Sequence, residues 1–312
     1  MSKIHPETYM PPDKSWLMRL GILSLRDNYL EMFLEKISTI ENRFGGDLKA
    51  FKRCLENWNQ DELYVGESAT LFRFLQFYIW QNNLTKKLVK EGSLLKRRVS
   101  EDPDIIFLSQ RELLNIDEGT TQWASAKVLC GDKERIDDAP AKLVMTYRIV
   151  DAWNSMVLPE YSDRIDKNFD LAISRSMLDS NICNHVFVLY SLLAGHDHLW
   201  LPLEAEDYCF ARSLSIMTQE DGQTIWPQLA NHESNRLEAM EEALDQLYNG
   251  KPITSQDHRV IHAVVMKALI DGIEVNVVNR EAVNKSWTRF WDFIEVCKKN
   301  KTLLQSKGNG KS

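Results

Sequence analysis

Cationic and hydroxyl side chains open one helical stretch after another in this chain: Lys14-Ser15 with Arg19, Thr70 with Arg73, Thr120-Thr121-Gln122, Arg236, His258-Arg259 and Lys285-Ser286. The start of a helix presents backbone N–H groups without intrahelical partners and a partial positive charge, so it attracts anions. Lys or Arg placed there opposes the helix dipole. Repeating that arrangement at corner after corner points to positive potential collected for a small anionic ligand. A phosphate with a carboxylate beside it calls for several cations, among them planar Arg forks that bind oxygen pairs. Glu233 opens a further helical stretch. By itself it reads as simple charge compensation at a helix start.

Other chemistries are less well supplied. The five cysteines, Cys54, Cys130, Cys183, Cys209 and Cys297, are scattered and form no CxxC pair. They read as buried free thiols. His196-Asp197-His198 after Gly195 lacks a companion ligand cluster and reads as a polar turn, so no metal is expected.

The elements that must hold these residues follow from patterning. The chain has 312 residues, 44% hydrophobic and 27% charged, with net charge -7. That is a folded globular composition with room for two domains. The negative charge argues against non-specific nucleic-acid binding, and no apolar stretch reaches the roughly 20 residues that span a bilayer. A cytoplasmic location is expected, with neither nucleic acid nor membrane as partner; the oligomeric state stays open. After an extended lead-in ending Pro11-Pro12, helices are expected around Trp16–Leu23, Tyr29–Phe44 (stopped at Gly45-Gly46), Leu71–Trp80 (capped by Ser68 or Thr70) and Gln122–Leu129. More are expected at Asn184–Ala194, Glu206–Met217, Glu233–Tyr248, Asp257–Ile270 and Trp287–Lys299. Short apolar runs at Glu62–Gly66, Ile105–Leu108, His198–Leu203 and Val275–Val278 read as strands. The alternation predicts an α/β or interleaved α+β fold.

Taken in order, the segments resemble the 5-enolpyruvylshikimate-3-phosphate synthases. Pro12-Asp13-Lys14-Ser15 with Arg19 is similar to the opening PxDKSxxxR motif of that family, and Tyr64-Val65-Gly66-Glu67-Ser68-Ala69-Thr70 to its glycine-rich loop. Gly92–Arg97 stands where the family has an RMxxRP arginine, and Thr120-Thr121-Gln122 resembles SSQxxSA. Glu206-Asp207, His232–Met240, Asp257-His258-Arg259 and Asn284-Lys285-Ser286 parallel four later motifs.

The resemblance implies a two-domain fold of repeated βαβαββ units with an interdomain cleft. The first domain would run over 14–179 and the second over 1–13 plus 180–305, with 306–312 as a disordered tail. It implies transfer of the enolpyruvyl group of phosphoenolpyruvate to a hydroxyl of an anionic acceptor such as shikimate 3-phosphate, with phosphate leaving and no cofactor. Lys14, Arg97, Gln122, Arg236, Arg259 and Lys285 would hold phosphoenolpyruvate. Ser15, Arg19, Thr120 and Thr121 would hold the acceptor, and Glu233, Lys14, His232 and His258 would carry the chemistry. The chain departs from the family in being shorter, in having Ala69 for a loop glycine, and in lacking the segment with the catalytic aspartate between Met217 and His232. The alternative is therefore an altered or inactive homologue that binds a small phosphorylated ligand as a sensor or pathway partner.

Overall fold

The computed structural model describes residues 8–118, 120–157, 164–196, 199–231 and 234–308. The chain divides into two units, one from Pro12 to Met177 and one joining Met1–Pro11 to Leu178–Ser312.

In the Pro12–Met177 unit, Pro11 and Pro12 hold the backbone extended up to Asp13, whose carboxylate accepts the Trp16 N–H at 2.9 Å and starts α1 (Lys14–Arg26). Every residue from Leu17 to Leu25 is buried, as expected of a helix apolar on most faces. Gly21 is required by close packing: a β-carbon there would lie 2.2 Å from the buried Phe51 ring. Then come α2 (Leu30–Ser38) and α3 (Gly46–Glu56). The Gly45-Gly46 pair begins a helix instead of stopping one, because Gly45 is extended and serves as the N-cap. Strand β1 (Glu62–Gly66) leads through Ser68, which caps α4 (Ala69–Gln81), to β2 (Lys87–Lys90). The strands are parallel, with Leu63 opposite Leu88 and a register shift between Tyr64 and Gly66, so α4 is a crossover helix. A short α5 (Gln110–Leu113) precedes α6 (Gln122–Leu129), α7 (Ala141–Met156) and α8 (Ile165–Arg175). Helix α6 packs against α4 and α7, around a core that includes Trp123, Phe74 and Trp153.

The second unit is helical: α9 (Ser180–Leu193), α10 (Tyr208–Ser213), α11 (Gln219–Ile225), α12 (Arg236–Tyr248), α13 (His258–Asp271) and α14 (Phe290–Gly308). Helix α13 is its centre, buried from Val260 through Met266 and packed against α9, α10, α12 and α14. The segment Thr8–Pro11 joins this core: Met10 is buried, and Trp287 Nε1 donates to the Tyr9 carbonyl at 2.6 Å.

The expected α/β (α+β) fold of repeated βαβαββ units is not what forms. Among the described residues, β1 and β2 make one two-stranded sheet, and the rest is helix, 3-10 turn and loop. Apolar runs of four or five residues fit a buried strand and a buried helical turn equally well, and that ambiguity misplaced the strands. Ile105–Leu108 falls mostly in a 3-10 turn, Pro103–Phe107, because Asp102 caps the Asp104 N–H and Pro103 fixes the first dihedral. Leu199, Leu201 and Leu203 are exposed and join no strand. Val277 makes a single parallel bridge to Ile253. The strand–corner–helix motif is thus realised once, at β1–α4–β2.

Candidate functional site

The sequence-selected residues of the Pro12–Met177 unit fall into two polar clusters. Lys14, in the first turn of α1, places Nζ 2.8 Å from Oδ2 of buried Asp47. The Ser15 carbonyl accepts from Arg19 Nη1 at 3.0 Å. Arg19 itself is 2% exposed; its Nε donates to Thr146 Oγ1 at 2.7 Å, Nη2 donates to Ser125 Oγ at 3.3 Å, and its guanidinium lies over the Phe74 ring. These are tie bolts between α1, α6 and α7.

The second cluster centres on Arg73, a residue of α4. Its Nε donates to Asp117 Oδ2 at 2.8 Å and its Nη1 to Gln122 Oε1 at 2.6 Å, while Gln122 Nε2 donates to Thr70 Oγ1 at 2.8 Å. Asp117 also accepts from Trp123 Nε1 and the Ser100 N–H. Those donors hold it in the left-handed conformation at φ 50°, sparsely populated by residues with a β-carbon. Burial lowers the Arg73 pKa, Asp117 opposes that, and the nearby Arg97 charge adds to the lowering. Thr120 Oγ1 accepts the Gln122 N–H at 3.3 Å; Thr121 is the N-cap of α6 but makes no side-chain cap. Arg97, Thr120, Thr121 and Gln122 therefore share the surroundings of Arg73.

In the second unit Arg236 Nε donates to Oδ2 of Asp257 at 2.8 Å, Ser234 Oγ donates to the same oxygen at 3.0 Å, and Asp257 Oδ1 accepts the Arg259 N–H at 2.8 Å. His258 follows directly and is 3% exposed. Lys285 ends a 3-10 turn, Arg280–Lys285, and is half-buried. His232 and Glu233 lie outside the described residues, as do Asp197 and His198.

Three groups that sequence reasoning missed complete this region. His185 of α9 sits 2.9 Å, through Nε2, from Asp207 Oδ1, and Asp207 Oδ2 accepts the N–H groups of Leu203 and Glu204. Burial pushes the Asp207 carboxyl up, but the hydrogen bond and charge of His185 and those two N–H groups outweigh it and leave it below its ordinary value. His262, one turn after His258 on α13, is buried against Phe290 and Trp287, and its Nε2 has no hydrogen-bond partner. Burial first, then the His258 and Arg259 charges, hold its pKa well below 6.5, so it is neutral. The His258–His262 spacing of four residues was the available signal, since it puts both rings on one helix face.

His185, Glu206, Arg259 and His262 line one small cavity with Phe210 and Trp287. Its volume of ≈ 10 Å³ is about that of one water. With His185 Nε2 engaged by Asp207, Nδ1 is the ring nitrogen left for another partner. Four of the five thiols are poor nucleophiles: burial pushes Cys54, Cys130 and Cys209 up to about 12 and Cys297 up to about 11. Among the described residues, no group of three or more His, Cys, Asp or Glu could hold a metal ion, and no helix is long and apolar enough to cross a membrane.

Comparison with known proteins finds no matching family model. No curated protein matches the chain. No solved structure matches it either.

Proposed function

We infer that the second unit carries an acid–base site for a small phosphorylated or carboxylated molecule. The observation that supports this is the convergence of the Asp207-oriented His185, Glu206, neutral His262 and Arg259 on one cavity. Arg259 supplies the cation for the anionic group, since Lys14, Arg73 and Arg236 are engaged with Asp47, Asp117 and Asp257. His185, oriented by Asp207 through Nε2, supplies a proton acceptor at Nδ1. The cavity holds one water as it stands, so ligand entry requires the side chains around it to move.

Within that class, the ordered motifs favour enolpyruvyl transfer. The acceptor hydroxyl gives up its proton as its oxygen bonds to C2 of phosphoenolpyruvate and the methylene carbon takes a proton. The C–O bond to phosphate then breaks and the methyl group returns a proton. Calorimetry with phosphoenolpyruvate, and phosphate release with anionic hydroxyl acceptors, test the reading. Arg259→Gln is expected to weaken phosphoenolpyruvate binding at least about tenfold. Absence of binding by the wild-type chain would overturn the reading.

A second reading, a binding protein without turnover, is favoured by the internal engagement of Lys14, Gln122 and Arg236. Saturable binding with no phosphate release from any acceptor would select it.

A further inference from the structure

An apolar hollow lies elsewhere, among α1, α7 and α8 of the Pro12–Met177 unit, with a volume of ≈ 330 Å³. Its floor is Leu20, Ile149 and Trp153, all buried, and its walls include Trp16, Met156 and Leu171, the last 55% exposed. Two arginines, Arg164 and Arg175, line it, and among the described residues no carboxylate does. The carboxylates that α8 carries, Asp166 and Asp170, are both drawn to Lys36 at 2.7 and 2.8 Å, and Asp151 of α7 pairs with Arg135. Arg175 is exposed and makes no hydrogen bond or ion pair among the described residues. An apolar hollow of this size, at the small end of the ~300–1,000 Å³ usual for ligand pockets, with cations and no anion among the described residues of its wall, has a defined complement.

We propose that this hollow binds a small amphipathic acid: an apolar body of single-chain or single-ring size, with a carboxylate or phosphate head that Arg175 receives. Burying such a body among Trp16, Leu20 and Met156 provides the hydrophobic gain, and the guanidinium fork fixes the head and rejects neutral and cationic analogues. In a chain of net charge -7, that preference is local to the pocket and does not follow from overall attraction.

The test uses the full-length chain with octanoate as probe and octanol as the neutral control, followed by calorimetry. Octanoate is expected to bind saturably with one site per chain, and octanol at least about tenfold more weakly. Arg175→Gln, at an exposed position, is expected to remove that difference while leaving the melting temperature unchanged. Ala172→Trp, which fills the hollow, is expected to abolish binding of both. Equal affinity for octanoate and octanol would overturn the proposal, as would unchanged octanoate affinity in Arg175→Gln or no saturable binding at millimolar octanoate. Self-association of the wild-type chain that Ala172→Trp abolishes would overturn it too, by making a second copy the occupant.

Discussion

Both units bury basic side chains next to helix starts, but they bury different bases. From Pro12 to Met177 the buried bases include the guanidiniums of Arg19 and Arg73, held by Thr146, Ser125, Asp117 and Gln122. In the other unit Arg236 is joined by the imidazoles of His185, His258 and His262. A guanidinium keeps its charge at any ordinary pH, so each buried one needs a permanent set of acceptors. An imidazole can discard its proton and be buried beside other cations, as His262 is beside His258 and Arg259. The first interior is therefore a fixed scaffold. The second buries a base that stays neutral, so His262 needs no such set of acceptors.

The comparison is broken most directly at its carboxylates. Asp257→Ala strips Arg236 of a partner and removes the α13 cap, and Asp117→Ala does the same to Arg73 and Trp123. Each is expected to cost about 3–5 kcal/mol in urea denaturation, with about 1 kcal/mol more for Asp257→Ala from the lost cap. A cost below about 1 kcal/mol at either site would mean that the buried pair is dispensable.

Acid sharpens the contrast. The unfolded chain protonates a histidine near pH 6.5, whereas folded His262, with its lowered pKa, does not. The unfolded state thus binds more protons between those two values, and stability rises with pH through that window and levels off above it. The slope is at most about 1.4 kcal/mol per pH unit for this one proton. Asp207, whose pKa is also lowered, acts with the same sign at lower pH: its stabilisation is present above the ordinary carboxylate range and is lost as pH falls through its lowered value, below this window. Hydrogen exchange of α13 amides at pH 5.5 and 7.5 should show the rise, and His262→Leu should flatten it. Amides of α4, packed near Arg73, should show none. Equal pH dependence in both helices would remove the distinction.

Smaller effects attend devices that the units share. Asp13 caps α1 and Asp179 caps α9, at 2.9 and 3.0 Å. Asp13→Ala and Asp179→Ala are each expected to cost about 1 kcal/mol in the same denaturation measurement. Least of all, Lys298→Ala breaks a pair with Glu295 in which both side chains are more than half exposed. No change in melting temperature is expected from it.

Helix starts were the legible part of this sequence, because a cap is a local event. Of the two caps expected for α4, Ser68 is the one that forms, and Asp257 opens α13 one residue before His258; α1 begins at Lys14, two residues before the expected Trp16. Strand β1 was legible for a similar reason, since Glu62–Gly66 ends on a glycine that adopts φ +60°. The strands that failed were decided by partners absent from the local pattern. Helix α8 raised no expectation, having only Phe169 and Ile173 buried. The site was legible as a set of cations but not as a set of pairs. Lys14 meets Asp47 across 33 residues and Arg73 meets Asp117 across 44. No spacing rule reaches that far, so the carboxylates these cations meet could not be read from the local pattern.

The way each unit closes on itself sets a timetable for synthesis. The Asp13 N–H donates to the Ser176 carbonyl, so the segment from Pro12 to Met177 is sealed once Ser176 has been made. Tyr9, by contrast, waits for Trp287, 278 residues later. At translation rates of about 5–20 residues per second that delay is roughly 14–56 s. For the part of that delay that follows Ser176, Thr8–Pro11 hangs from a finished domain with its docking site still unmade, and Met10 stays in water until the last helices arrive to cover it.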